Sequence, residues 1–230
     1  MERGVAPREY ARYGDAIGDL EERLGKYCSY CERRLPIGLA VEHMAPKNPH
    51  RDHRDRDREL DWDNFLLGCT NCNSVKGNRE VADADVLWPD RHNTMLAFAY
   101  SRGGLVRVAG GLKPDLQRRA RALMELVGLD RHSQGEGGQP AKRDQRWMDR
   151  EEAWATAELF RSRFEKLGGS DEVRSSVVDA ARYCGLFSVW FAVFDAHVDV
   201  RLALIDAFPG TATSCFDQDG SLVDRPGAEI

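Results

Sequence analysis

Residues 68–78 read GCTNCNSVKGN. Cys69 and Cys72 stand two residues apart at what should be the start of a helix, with Asn73 in its first turn. One such pair is ambiguous: it can be a redox dithiol, half of a metal site or an accident. A second pair lies upstream in CSYCERRL, residues 28–35, where Cys28 and Cys31 repeat the spacing with 37 residues between Cys31 and Cys69. Two tight turns, each offering two thiolates, can approach one tetrahedral ion from two sides. The alternative requires four uninvolved thiols to fall at ligand spacing by chance. The spacing therefore predicts a structural Zn²⁺ held by Cys28, Cys31, Cys69 and Cys72.

Zinc alone leaves function open, because such knuckles also stabilise binding modules. The residues between the pairs carry more. LAVEHMAPKNP (39–49) sets Glu42 and His43 at the end of an apolar stretch, and LDWDNFLLGC (60–69) places Asn64 shortly before Cys69. Over residues 27–80 this order resembles the HNH, or ββα-metal, nuclease family, in the subset bracketed by two Cys-x-x-Cys pairs. The chemistry explains the residue types. Phosphodiester hydrolysis needs a water deprotonated near neutral pH, which an imidazole can do, and a cation to neutralise charge on phosphate and leaving oxygen.

The resemblance implies that His43 is the general base and that Asn64 orients it. It implies that Glu42 and Asn73 hold a catalytic Mg²⁺ or Mn²⁺. Many members have Asp where this chain has Glu42, and the longer side chain could shift the ion or favour Mn²⁺. Asn73 in place of His favours hard Mg²⁺ over a transition metal. Lys76, one turn beyond Asn73, is either a phosphate contact or a solvated helix lysine, and Arg79 follows it as a DNA-binding candidate. HRDHRDRDRELDWD (50–63) alternates in sign. It reads as a solvated loop, or else Arg51, Arg54, Arg56 and Arg58 contact the DNA backbone. His50 and His53 in the same run are exposed histidines on this reading, not ligands.

Hydrophobic content of 42% and charged content of 31% place the chain among soluble globular proteins. No run approaches the roughly 20 apolar residues of a membrane span. MERGVAPREY (1–10) lacks the apolar centre of a signal peptide, so a cytoplasmic location is expected. The net charge of −5 argues against a generic nucleic-acid binder, but it is unevenly spread. Residues 102–147 hold ten basic and five acidic side chains, and residues 148–230 hold eight and fifteen. Screening keeps such footprints local, so a DNA-facing surface remains open to the first two thirds.

The periodicity predicts an opening helix over Pro7–Leu24, ended by Gly25. It predicts a hairpin over 97–108 around Gly103 and Gly104, and a helix from Pro114 to Gly128. Beyond the Gly-rich connection 131–143, helical stretches are expected over Asp144–Leu167 and Asp171–Phe208. In the second, Phe187, Phe191, Phe194, Val198, Leu202 and Ile205 form a stripe at helical period that is either ordinary core or a docking face. Cys184 and Cys215, without partners at ligand spacing, read as buried thiols. The expected architecture is α+β. It has an N-terminal helix (1–26), a zinc-stabilised ββα HNH module (27–80), a hairpin-and-helix extension (81–130) and a helical C-terminal region (144–230).

A narrower resemblance rests on KYCSYCERRL (26–35), LWPDRHNT (87–94), FPGTATSCFD (208–217) and DRPG (224–227). Together these look like the HNH subunit of Septu-type anti-phage systems, which is also found beside retrons. This implies a defence nuclease cutting phage or plasmid DNA beside an ABC-like ATPase partner, docked on the acidic C-terminal helices. Asp90, His92 and Asn93 either extend the site or serve as caps and turns. The rival classes are a non-catalytic zinc-dependent binding or scaffold module and an RNA-cutting HNH-like toxin.

Overall fold

The computed structural model describes residues 1–48, 55–133 and 144–230. Its centre is a two-stranded antiparallel ribbon, β1 (Leu39–His43) against β2 (Phe65–Cys69), with His43 opposite Phe65 and Leu39 opposite Cys69. The chain runs from β2 directly into helix α3 (Thr70–Lys76), completing a ββα unit. Every residue of β2 is buried. Successive strand residues face opposite ways, so Phe65 and Leu67 pack with Leu20 and Leu24 of α1 (Ile17–Leu24). Leu66 enters a second cluster with Cys28, Met44 and Cys72. A ribbon covered on both faces needs the unbroken apolar run that Phe65–Leu67 supplies.

The opening helix is shorter than its apolar spacing predicts. A 3₁₀ turn, Tyr13–Ala16, leads into α1, and residues 7–12 are not helical. Tyr10 instead stacks on Trp62, with ring centres 5.9 Å apart, and Arg8 reaches Asp19. These tertiary contacts outweigh helix propensity. Within the alternating charge run, Arg56–Leu60 forms a short helix, α2, capped by Asp55, which accepts from Arg58 N. It is not a solvated loop there. His50, Arg51, His53 and Arg54 lie outside the described residues.

A four-residue helix α4 (Thr94–Ala97) precedes the hairpin, which forms as expected from β3 (Phe98–Ser101) and β4 (Leu105–Val108). Helix α5 (Pro114–Val127) follows, ending at left-handed Gly128. Helix α6 (Arg146–Lys166) packs along the hairpin turn. There a Cβ on Gly104 would sit 1.9 Å from the Trp147 carbonyl oxygen.

The C-terminal stretch is three helices rather than one: α7 (Asp171–Cys184), α8 (Phe187–Val193) and α9 (Val198–Ala207). The first break has a tertiary cause. Gly185 (φ +75) pairs with Arg33, and Leu186 (φ +59) donates its N–H to the Glu32 carbonyl. The 31–34 turn is thus wedged between the helices. The second break, at Phe194–His197, splits the apolar stripe. Phe191 and Phe194 are buried, whereas Val198 and Leu202 are 44% and 38% exposed. Cover comes from within the chain, through Phe160 against Trp190 and Phe164 against Phe194. Phe191, Phe194 and Ile205 are therefore core, while Val198 and Leu202 stay at the surface. The fold is α+β, and among the described residues no helix is long and apolar enough to cross a membrane.

Candidate functional site

The four cysteines converge. Cys28 and Cys31 sit on a tight turn in which Cys28 N–H donates to the Arg33 carbonyl and Glu32 N–H to the Cys28 carbonyl. Cys69 ends β2 and caps α3, and Cys72 lies in the first turn of that helix. All four sulfurs are buried and lie within 4.8 Å of one another. Cys31 Sγ and Cys69 Sγ are 3.7 Å apart. The edge of a tetrahedron with Zn–S bonds of about 2.3 Å is about 3.8 Å. The donor set and spacing fit zinc.

The surroundings also suit thiolates. Cys69 N–H points at Cys28 Sγ (3.3 Å), Cys72 N–H at Cys69 Sγ (3.4 Å), and Arg146 Nη1 at Cys72 Sγ (3.2 Å). Contacts among the thiols pull Cys69 far below the ordinary thiol range and push Cys31 and Cys72 well above it. The four thiols hold their protons unevenly, and a metal ion would displace those protons. Arg146 was not legible in the sequence: it stands 74 residues beyond Cys72 with no motif around it. Among the described residues no other group of three or more His, Cys, Asp or Glu converges.

His43 closes β1. Its ring is 7% exposed, edge-on to Tyr13 and Phe65 at 5.0 and 5.2 Å between centres. His43 Nε2 lies 3.1 Å from the Glu59 carbonyl oxygen. A carbonyl only accepts, so Nε2 carries the proton and Nδ1 presents a lone pair. Burial lowers the His43 pKa below its usual value and favours that neutral form.

Asn64 does not touch the imidazole. Its Nδ2 donates to the carbonyls of Ala45 (2.8 Å) and Arg58 (2.9 Å), and its Oδ1 accepts from Ala45 N (2.7 Å). The amide thereby splints the turn after His43 to the end of α2, whose Glu59 carbonyl holds the ring. Its grip on His43 runs through backbone.

Glu42, next along the strand, faces the other way, over Gly68 and toward α3. It is 3% exposed. Lys76 Nζ lies 3.0 Å from Glu42 Oε1 and donates to the His43 carbonyl at 2.7 Å. Lys76 is itself 2% exposed. This corrects both sequence readings of that lysine: it neither faces solvent nor is free to reach a phosphate, because its ammonium is the counterion of Glu42. The contact is ionic rather than directional, since Oε1 receives no hydrogen bond. Asn73 is half-buried, and its amide makes no hydrogen bond among the described residues. Glu42 and Asn73 offer hard oxygen donors that fit a divalent ion, but the Glu42 carboxylate already carries a neighbouring positive charge.

The other basic candidates are largely engaged. Arg79 donates to the carbonyls of Val75, Lys76 and Leu126, and so caps two helices rather than facing outward freely. Arg56 lies 3.5 Å from Glu59, and Arg58 pairs with Asp55 and Glu80. Asp90 pairs with Arg3, and the His92 ring lies between the Trp88 carbonyl and Arg119. Asn93 caps α4 and donates to the Cys215 and Val223 carbonyls. These three are structural and do not extend the site.

No curated protein matches the chain. Residues 28–79, spanning the cysteine turns, both strands and α3, match the family model for HNH endonuclease.

Proposed function

We propose that the protein is a metal-dependent HNH endonuclease that hydrolyses phosphodiester bonds in DNA, with His43 as general base. The observation that carries this is the tautomer imposed on His43. The Glu59 carbonyl occupies Nε2 and leaves Nδ1 to take a proton from water. Asn64 keeps that carbonyl in place through Arg58 and Ala45. Tyr13 and Phe65 restrict the ring's rotation from two sides. A Mg²⁺ or Mn²⁺ held by Glu42 and Asn73 would supply the charge that stabilises the phosphate and the departing oxygen. Lys76 keeps Glu42 ionised against its burial, which otherwise raises the Glu42 pKa. A zinc held by Cys28, Cys31, Cys69 and Cys72 would fix β2 and the first turn of α3, which carries Asn73.

The narrower resemblance supports a cytoplasmic effector role in anti-phage defence with an ABC-like ATPase, for which the exposed side of the acidic C-terminal helices is available. Co-expression with such an ATPase and co-purification of the full chain tests that assignment.

One observation favours a second reading. Because Lys76 neutralises Glu42, the domain could serve as a zinc-stabilised nucleic-acid-binding module without catalysis. Incubation with plasmid, single-stranded DNA and RNA in Mg²⁺ or Mn²⁺ separates the readings. The nuclease reading expects DNA cleavage that falls by about 10²–10⁴ in His43→Ala, with fold and zinc content retained. Wild-type cutting rates in that variant would remove His43 from the reaction, and cutting confined to RNA would change the substrate class.

A further inference from the structure

Among the described residues, the basic side chains that the sequence offers to the nucleic-acid backbone each have a partner. Lys76 is buried on Glu42, Arg79 holds three carbonyls, and Arg56 and Arg58 face carboxylates. Lys47, which no motif singles out, differs from all of these. It follows His43 by four residues, on backbone fixed from both sides. Asn64 grips Ala45, and the Lys47 carbonyl accepts Asp55 N–H at 2.8 Å. Its ammonium lies 3.5 Å from the centre of the Tyr13 ring, and that ring meets His43 edge-on. No carboxylate pairs with Lys47 among the described residues. Its charge acts on both Glu42 and His43.

An ammonium resting on an aromatic face is positioned without being neutralised. Its N–H groups pointing away from the ring keep their full capacity for an anion. The anion suited to such a point charge, beside an imidazole with a free lone pair, is a phosphate of the nucleic-acid backbone. We infer that Lys47, carried on the Tyr13 ring, is a phosphate-binding residue that seats a backbone phosphodiester beside His43. This rests on the nuclease reading and adds to it the residue that positions the substrate.

The test is binding of a short DNA duplex by the zinc-loaded full chain without added divalent ions, followed by fluorescence anisotropy across a salt series. A variant that neutralises one phosphate fewer should have a slope of log K against log salt that is shallower by about 0.9. Lys47→Met and Lys47→Gln should both show that shallower slope and weaker binding, whereas Lys47→Arg should restore the slope. Unchanged melting temperatures would show that the neutral variants remain folded. If wild type cuts DNA but both neutral variants keep its slope and affinity, the Lys47 assignment is overturned and the nuclease reading stands. If wild type neither binds nor cuts nucleic acid, the nuclease reading falls and the Lys47 assignment with it.

Discussion

The Lys76–Glu42 pair has the largest consequence at the scale of single residues. Both side chains are almost fully buried, at 2% and 4% exposure. Removing one partner of a buried pair leaves an uncompensated charge and costs about 3–5 kcal/mol. Lys76→Met should therefore be strongly destabilising in urea denaturation. Glu42→Gln combined with Lys76→Met should cost clearly less than the lysine change alone. Equal losses would mean that the pair is not coupled. His43 gives a second residue-scale expectation. Its folded pKa lies below the ordinary value of about 6.5 because burial disfavours the imidazolium. The base is then neutral above that lowered pKa and is lost as pH falls through it. The acid limb of the rate–pH profile should have its midpoint below 6.5, and a midpoint above it would contradict the assigned environment.

Among the elements, β2 and α3 form one continuous device. Cys69 ends the strand, caps the helix through Cys72 N–H and supplies a ligand. Losing that thiol removes the cap and the zinc together. A structural zinc contributes on the order of 10 kcal/mol to folding of such sites. Elemental analysis should find about one zinc per wild-type chain, and Cys69→Ser should lose both the metal and the cooperative melt. Full zinc occupancy in that variant would show that the two cysteine pairs do not share one ion. The split of the C-terminal stretch also belongs to this scale. The 31–34 turn separates α7 from α8 at Gly185–Leu186, and the stripe from Phe187 to Ile205 keeps helical period in sequence but is broken at Phe194–His197, between α8 and α9.

Across the whole molecule, the 28–79 segment and the C-terminal helices share contacts that neither could make alone. Glu32, between the zinc ligands and the helices, accepts from Ser188 N (2.8 Å) and Ser188 Oγ (2.6 Å). Arg33 pairs with Asp149 at 2.6 Å. Arg146, 2% exposed, binds Cys72 Sγ, Asp144 and the carbonyls of Val127 and Gly128. The zinc turn is thus clamped by α6 and by the entry to α8. Arg146→Met should release zinc faster to a chelator than wild type, and a chain ending near residue 138 should release it faster still. Identical release rates would show that the helices do not support the metal site.

The cysteine cluster and the strands around it were legible in the sequence because they rest on local order. The two cysteine spacings, Glu42–His43 before a proline, and Asn64 leading into an apolar strand each constrain a short stretch of backbone. The hairpin and α5 were equally legible, since glycine turns and apolar period act within a few residues. Other features depended on residues distant in sequence. Tyr10 leaves the opening helix for Trp62, Gly185 yields to Arg33, Lys76 turns inward to Glu42, and Arg146 reaches Cys72 from 74 residues away. Period and spacing report what a segment prefers by itself. Burial and ion pairing between segments are settled only when the chain closes, and there they outweigh the local preference.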